Sequence, residues 1–196
     1  CERPIGVGSE DHPLLLAVKG EAVVEELGTL LAPVAGPIAA GGAEAVEACL
    51  KFARRYWHTK GETTRTKYVA FTHSFHGRTM GSLSVTWDEH YRAPFQPLIP
   101  GVSFATASDP ASLAALVDDA TAAIIVEPVQ GEGGVRPISA EMARAITEAC
   151  QRTGALLIAD EVQSGSGRTG QFLGAEAIGL KPDLVALGKA LGGGMP

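Results

Sequence analysis

Four apolar runs in this chain lead into side chains that can do chemistry. "AAIIV" ends in Glu127, "ALLIA" in Asp160 and Glu161, and "LVALG" in Lys189, while "KYVAFT" runs into "HSFHGRT". Taken singly, each is an ordinary strand end meeting water. If the strands are parallel and adjacent, these groups share one rim, and an amine and a carboxylate meet at the mouth of a low-dielectric core. A lysine becomes a nucleophile when desolvation or nearby cations lower its pKa. A lysine beside a glycine-rich stretch, with a carboxylate closing an earlier strand, is an arrangement suited to Schiff-base chemistry.

One cofactor uses both groups. Lysine can hold pyridoxal phosphate as a Schiff base, and an aspartate can keep its ring nitrogen protonated so that the ring withdraws electrons. Its phosphate needs a site, and "AAGGAEAVEA" places Gly41 and Gly42 just before a helix. Free N–H groups and the positive end of the helix dipole suit a phosphate there. In "SFHGRT", Phe75 can stack on a cofactor ring, His76 lies beside it, and Arg78 can grip a carboxylate with two parallel bonds.

The elements that must position these groups alternate along the chain. Short apolar runs at 37–40, 67–72, 102–105, 122–128, 155–161 and 183–188 predict strands. Those at 124–126 and 156–159 lack polar alternation, as expected when helices cover both faces of a sheet. Helices fit between them. Residues 43–57 place Val46, Cys49, Leu50, Ala53 and Tyr56 or Trp57 on one side. "DPASLAALVDDA" has Asp109 as N-cap and Pro110 at the first helical position. "SAEMARAITEACQRTG" starts at Ser139 and stops at Gly154. The fold class is therefore α/β, a mainly parallel sheet with right-handed crossovers, and ligands bind such sheets beyond the carboxyl ends of the strands. Residues 1–36 fit no definite element.

Composition narrows the function classes. The chain has 196 residues, 45% hydrophobic and 19% charged, with a net charge of −6 and no Lys/Arg-rich run, which disfavours a nucleic-acid partner. Its three cysteines, Cys1, Cys49 and Cys150, lie far apart without metal-ligand spacing, so neither a disulfide framework nor a metal site is expected. No run approaches the roughly 18 apolar residues of a membrane span, and "CERPIGVGSEDHP" has no signal-peptide core. A cytoplasmic setting without a membrane partner is expected. "GSGRTG" (165–170) spells a dinucleotide-binding pattern, but it does not sit in a tight strand-to-helix turn. A serine hydrolase is disfavoured because no GxSxG occurs.

Together, "SFHGRTMGSLSVT", "VEPVQGEGG", "LLIADEVQSGSGRTG" and "LVALGKALGGGMP" resemble the class-III (subgroup II) pyridoxal-phosphate-dependent aminotransferases. The likeness is closest to acetylornithine and ornithine aminotransferases. "GSLSVTWDEHYRAPFQPL" also resembles the related enzymes that transaminate lysine held on an amino-group carrier protein in lysine biosynthesis. The resemblance implies a fold-type-I large domain over residues 37–196, present in part, with residues 1–36 as the remnant of a longer N-terminal segment. It implies Lys189 as the Schiff-base lysine, Asp160 at the ring nitrogen, Val162 and Phe75 on the two ring faces, and Gln163 near the ring's phenolic oxygen. Gly41, Gly42 and Ala43 would hold the phosphate, with His76 and Glu127 close to the cofactor. Arg78 would bind the substrate carboxylate, and Glu132 matches a gate glutamate. The expected reaction moves an amino group from an acetylornithine-type donor to 2-oxoglutarate in a homodimer serving arginine or lysine biosynthesis.

Two departures from the family pattern stand out. The phosphate loop reads Ala40-Gly41-Gly42-Ala43, where the family has Asn-Ser-Gly-Ala/Thr. Family members also extend further at both ends, and the later part supplies the gate arginine and a phosphate contact from the partner subunit. The alternative expectation is a catalytically incomplete fragment, one that binds the cofactor weakly or acts only as an interaction module.

Overall fold

The computed structural model describes residues 41–193 and the two-residue strand Ala17–Val18. The strand expected at 37–40 lies outside the described residues. In chain order the elements are β1 (Ala17–Val18), α1 (Gly42–Thr59), β2 (Lys67–Phe71), α2 (Met80–Ser84), α3 (Glu89–Arg92) and β3 (Val102–Ala105). There follow α4 (Pro110–Leu116), β4 (Thr121–Val126), β5 (Val129–Gln130), β6 (Arg136–Pro137), α5 (Ala140–Thr153), β7 (Leu156–Asp160), α6 (Gly174–Ala177) and β8 (Leu184–Ala186). Single 3-10 turns occupy Ala93–Phe95 and Lys189–Gly192.

The main sheet has six strands in the order β1-β8-β7-β4-β2-β3. β3, β2, β4, β7 and β8 run parallel, and β1 closes the edge antiparallel to β8. The apolar runs are continuous because both faces are buried. Along β7, Leu156 and Ile158 pack towards α1, while Leu157 and Ala159 pack towards α4 and α5. β4 repeats this with Ala123 and Ile125 against Ile124 and Val126. Burying one such side chain contributes about 1.5–3 kcal/mol, so each strand is fixed from two sides.

Local signals set the helix ends. Asp109 accepts from the Ala111 N–H (3.0 Å) and Ser139 from the Met142 N–H (3.1 Å), each satisfying a free first-turn donor. Gly154 ends α5 at φ 75°, left-handed backbone that glycine adopts without strain. On α1, Phe52 and Trp57 join Val46, Cys49, Leu50 and Ala53 in the core.

The order of strands decides where a ligand can enter. From β2 the chain steps to the edge strand β3, then returns past β2 to β4 and continues to β7 and β8. The direction of travel reverses between β2 and β4, so the loops leaving their carboxyl ends diverge and open a crevice.

Candidate functional site

The crevice is lined by the groups that the strand ends deliver. Asp160 is the last residue of β7, paired in register with Ala186 of β8. It is buried, and its Oδ2 lies 2.7 Å from Nδ1 of His76, which comes from the loop after β2. Its Oδ1 accepts from the Val162 N–H at 3.1 Å. Glu127 follows β4, is also buried, and accepts from the Phe75 N–H at 2.8 Å. The loop after β2 is thus tied to β7 by His76 and to β4 by Glu127, across the point where the loops diverge.

Burial and charge set the protonation of this cluster. Burial pushes the Glu127 carboxyl up to about 7; the neighbouring His76 charge counters this, and the Asp160 charge adds to it. Burial alone pulls the His76 imidazole down, but the Asp160 hydrogen bond and charge, helped by Glu127, hold it above its ordinary value. Its Nε2 is buried without a hydrogen-bond partner among the described residues.

The glycine turn approaches the same rim. Gly41 is the N-cap of α1 and no side chain caps that end, so the first N–H groups of an 18-residue helix stand free of the helix's own ladder. A Cβ on Gly42 would lie 2.5 Å from Val162 Cγ1, and one on Gly188 would lie 3.3 Å from the Gly42 Cα. The helix start, Val162 and the approach to Lys189 are in direct contact, which a side chain at Gly42 would prevent. Gly77, at φ 124°, packs against Ala43 in the same way: its Cβ would be 2.5 Å from that of Ala43.

Lys189 opens the 3-10 turn two residues beyond the β8-flanking Leu187, at φ 45°. It is exposed rather than desolvated, and its Nζ donates to Gln163 Oε1 at 3.0 Å. Gln163 lies against Gly131, where a Cβ would come within 2.4 Å of its amide. Phe75 is half-buried and meets Tyr91 edge-on at 5.7 Å; Arg78 is exposed, with its guanidinium 4.5 Å from the Tyr91 ring centre. Glu132 is exposed in the turn closed by Gly134 N–H to Gly131 C=O (3.1 Å).

Not every strand-end charge faces the crevice. Glu161, next to Asp160, accepts from Ser164 Oγ (2.6 Å) and the Ala175 N–H (2.7 Å), and so fixes the loop between β7 and α6. Adjacent residues leave a strand in opposite directions, which separates the two carboxylates. Glu47 of α1 went unrecognised in the sequence. It accepts from Thr79 Oγ1 (2.6 Å) and the Ser82 N–H (3.0 Å), holding the end of the "SFHGRT" loop against α1. No local spacing signals a contact between residues so far apart in the chain.

The chain matches the family described as Aminotransferase class-III over residues 20–196. The acetylornithine aminotransferase of Archaeoglobus fulgidus is 53% identical over 155 residues, covering 79% of this chain and 40% of that protein. The LysW-aminoadipate semialdehyde/glutamate semialdehyde transaminase of Sulfurisphaera tokodaii is 51% identical over 155 residues, covering 79% and 38%. Among solved structures, the PLP-bound amine transaminase of an uncultivated Pseudomonas species superposes with a TM-score of 0.71 at 32% identity, over 91% of this chain and 47% of that one. The chain therefore spans about 40% of the length of the curated relatives it matches. On the sequence match and the shared α/β architecture, this chain belongs to the class-III aminotransferase family.

Proposed function

We propose that residues 37–196 form the cofactor-binding domain of a pyridoxal-phosphate-dependent transaminase. The reading is carried by one observation: Asp160, paired with His76 from the loop after β2, ends the strand next to the one that leads into Lys189, with the uncapped start of α1 in contact through Gly42, Val162 and Gly188. These residues fit the cofactor. Asp160 keeps acceptor capacity for a ring N–H after serving His76 and Val162. The free N–H groups of α1 suit its phosphate even without the hydroxyl and amide of the usual loop.

Pyridoxal phosphate, when bound, supplies a carbonyl carbon for an amine and a ring that takes up electron density. The protein's own groups do the rest. Lys189 Nζ holds or moves a proton between neighbouring atoms, steadied by Gln163 Oε1. Asp160, kept in place by His76, stabilises positive charge at the crevice floor. Val162 and Phe75 offer apolar faces, and Arg78 offers a carboxylate grip at the rim. The amino donor is of the acetylornithine or LysW-bound semialdehyde kind, by likeness to the relatives named above, with 2-oxoglutarate as the returning acceptor. A cytoplasmic homodimer is the proposed setting; no helix among the described residues is long and apolar enough to cross a membrane.

The test is an absorbance spectrum of the purified chain with added pyridoxal phosphate, followed by borohydride reduction. A reducible band that Lys189→Ala abolishes supports the reading. A band that persists in Lys189→Ala overturns the assignment of that lysine. Turnover of N-acetylornithine with 2-oxoglutarate then separates an enzyme from a chain that only binds the cofactor.

A further inference from the structure

Arg78 leaves the loop after β2 from a main chain that is fixed on both sides. Before it, the Gly77 C=O accepts from Thr86 Oγ1 (3.2 Å), and Gly77 packs against Ala43. After it, Thr79 Oγ1 donates to Glu47 (2.6 Å). The Arg78 side chain itself is exposed. Among the described residues its guanidinium has no ion pair and no hydrogen bond. What it meets is Tyr91, with its central carbon 4.5 Å from the ring centre.

Tyr91 is held from several directions. It lies on α3, where Asp88 Oδ1 accepts from the His90 N–H (2.9 Å) and the Asp88 C=O from the Tyr91 N–H (3.1 Å). The Trp87 N–H donates to Ser74 C=O (3.0 Å), which joins the start of α3 to the loop after β2. The ring is half-buried and meets Phe75 edge-on at 5.7 Å. Its hydroxyl makes no hydrogen bond among the described residues, so the face of the ring is what it offers Arg78. The acids on neighbouring segments are engaged elsewhere. Glu89 pairs with Arg92 (3.1 Å), Asp88 caps α3, and Glu47 takes Thr79 and the Ser82 N–H (3.0 Å).

We infer that Tyr91 is a positioning residue: its ring steadies the Arg78 guanidinium and leaves that group's N–H donors to a substrate carboxylate. An aromatic face attracts a cation through its quadrupole and leaves the donors in the guanidinium plane unbonded. A carboxylate can then take two of them in parallel. A long side chain that rotates freely loses rotamer entropy on binding, and one already held loses less. Tyr91 thus favours carboxylate-bearing substrates without touching them. This rests on the carboxylate grip proposed for Arg78.

The test titrates N-acetylornithine and N-acetylputrescine, the same amine without the carboxylate, into the full chain with added pyridoxal phosphate, by calorimetry. The quantity read is the ratio of the two affinities, because lost support for Phe75 weakens both ligands together. Wild type favours N-acetylornithine, and Arg78→Ala loses about ten- to a hundredfold of that preference. Tyr91→Leu loses about two- to fivefold. Tyr91→Phe keeps most of the wild-type ratio, because the ring face remains, and Tyr91→Leu adds no loss to Arg78→Ala. An unchanged ratio in Tyr91→Leu, or an equal loss with and without Arg78, overturns the inference and leaves the reading of Arg78 intact. An unchanged ratio in Arg78→Ala overturns that reading, and the inference with it. If neither ligand binds, NMR of the Arg78 side chain decides. A ring-current displacement that Tyr91→Leu removes and Tyr91→Phe keeps upholds the placement; signals alike in all three proteins overturn it.

Discussion

At the scale of single residues, the Asp160–His76 pair sets the character of the crevice. The carboxyl group is buried, and its hydrogen bond and charge hold the imidazole beside it above its ordinary pKa against the cost of burial. Asp160→Asn removes the charge while keeping the shape. The His76 imidazole then loses its main support, and its pKa is expected to fall, read by NMR titration of the ring protons. Cofactor affinity is expected to drop at least tenfold in the same variant, measured by the borohydride-trapped fraction. Lys189 behaves differently because it is exposed. Lys189→Ala is expected to change stability by no more than about 0.5 kcal/mol in chemical denaturation, while abolishing the trapped band. Asp160 and Lys189 could be named from sequence because each closes an apolar run. The bond between His76 and Asp160 could not, since nothing in the chain says which strands are neighbours.

At the scale of elements, the loop after β2 is the part that must be held. Gly77 sits at φ 124° with its Cα facing Ala43. Gly77→Ala combines a disfavoured backbone with a collision and is expected to cost about 2–3 kcal/mol in urea unfolding. The groups that hold this loop give the fold a pH dependence. Burial pushes the Glu127 carboxyl up to about 7 in the folded chain, above the ordinary 4.5. Between those values the folded state holds a proton that the unfolded state has released, so stability falls as pH rises through the window. His76, raised above its ordinary value, acts in the same direction: its stabilisation is present below that value and lost as pH climbs through the folded one. The Tm is therefore expected to be lower at pH 8 than at pH 5. Glu127→Gln can still accept the Phe75 N–H, and its Tm should vary less over that range. An equal or steeper slope in the variant would place the dependence elsewhere.

At the scale of the whole molecule, apolar clusters cover both faces of the mainly parallel sheet, and polar joints tie the layers together. Arg65 is one such joint. It is buried, donates from Nε to Asp119 C=O (2.8 Å) and from its terminal nitrogen to Thr153 C=O, and stacks 3.7 Å above Trp57. Trp57 in turn donates to Ala122 C=O at 2.9 Å. One side chain thus joins the end of α1, the start of β4 and the end of α5. Arg65→Ala is expected to cost about 3 kcal/mol by equilibrium denaturation, since it strands two carbonyls and opens space beside an indole. Arg65→Lys should recover part of that loss, because an ammonium can serve one carbonyl but cannot stack as a plane.

The amino-acid sequence by itself determined the alternation of strands and helices, the caps at Asp109, Ser139 and Gly154, and the chemical groups closing each apolar run. These follow from local periodicity and from backbone preferences of single residues, which neighbours in the chain express directly. The tertiary structure alone decided the order of the strands, and with it the crevice between β2 and β4. It also separated Asp160 from Glu161, paired Asp160 with His76, and pressed Gly42 against Val162. Those outcomes depend on which distant segments share a sheet face, a choice made by burying two apolar surfaces at once.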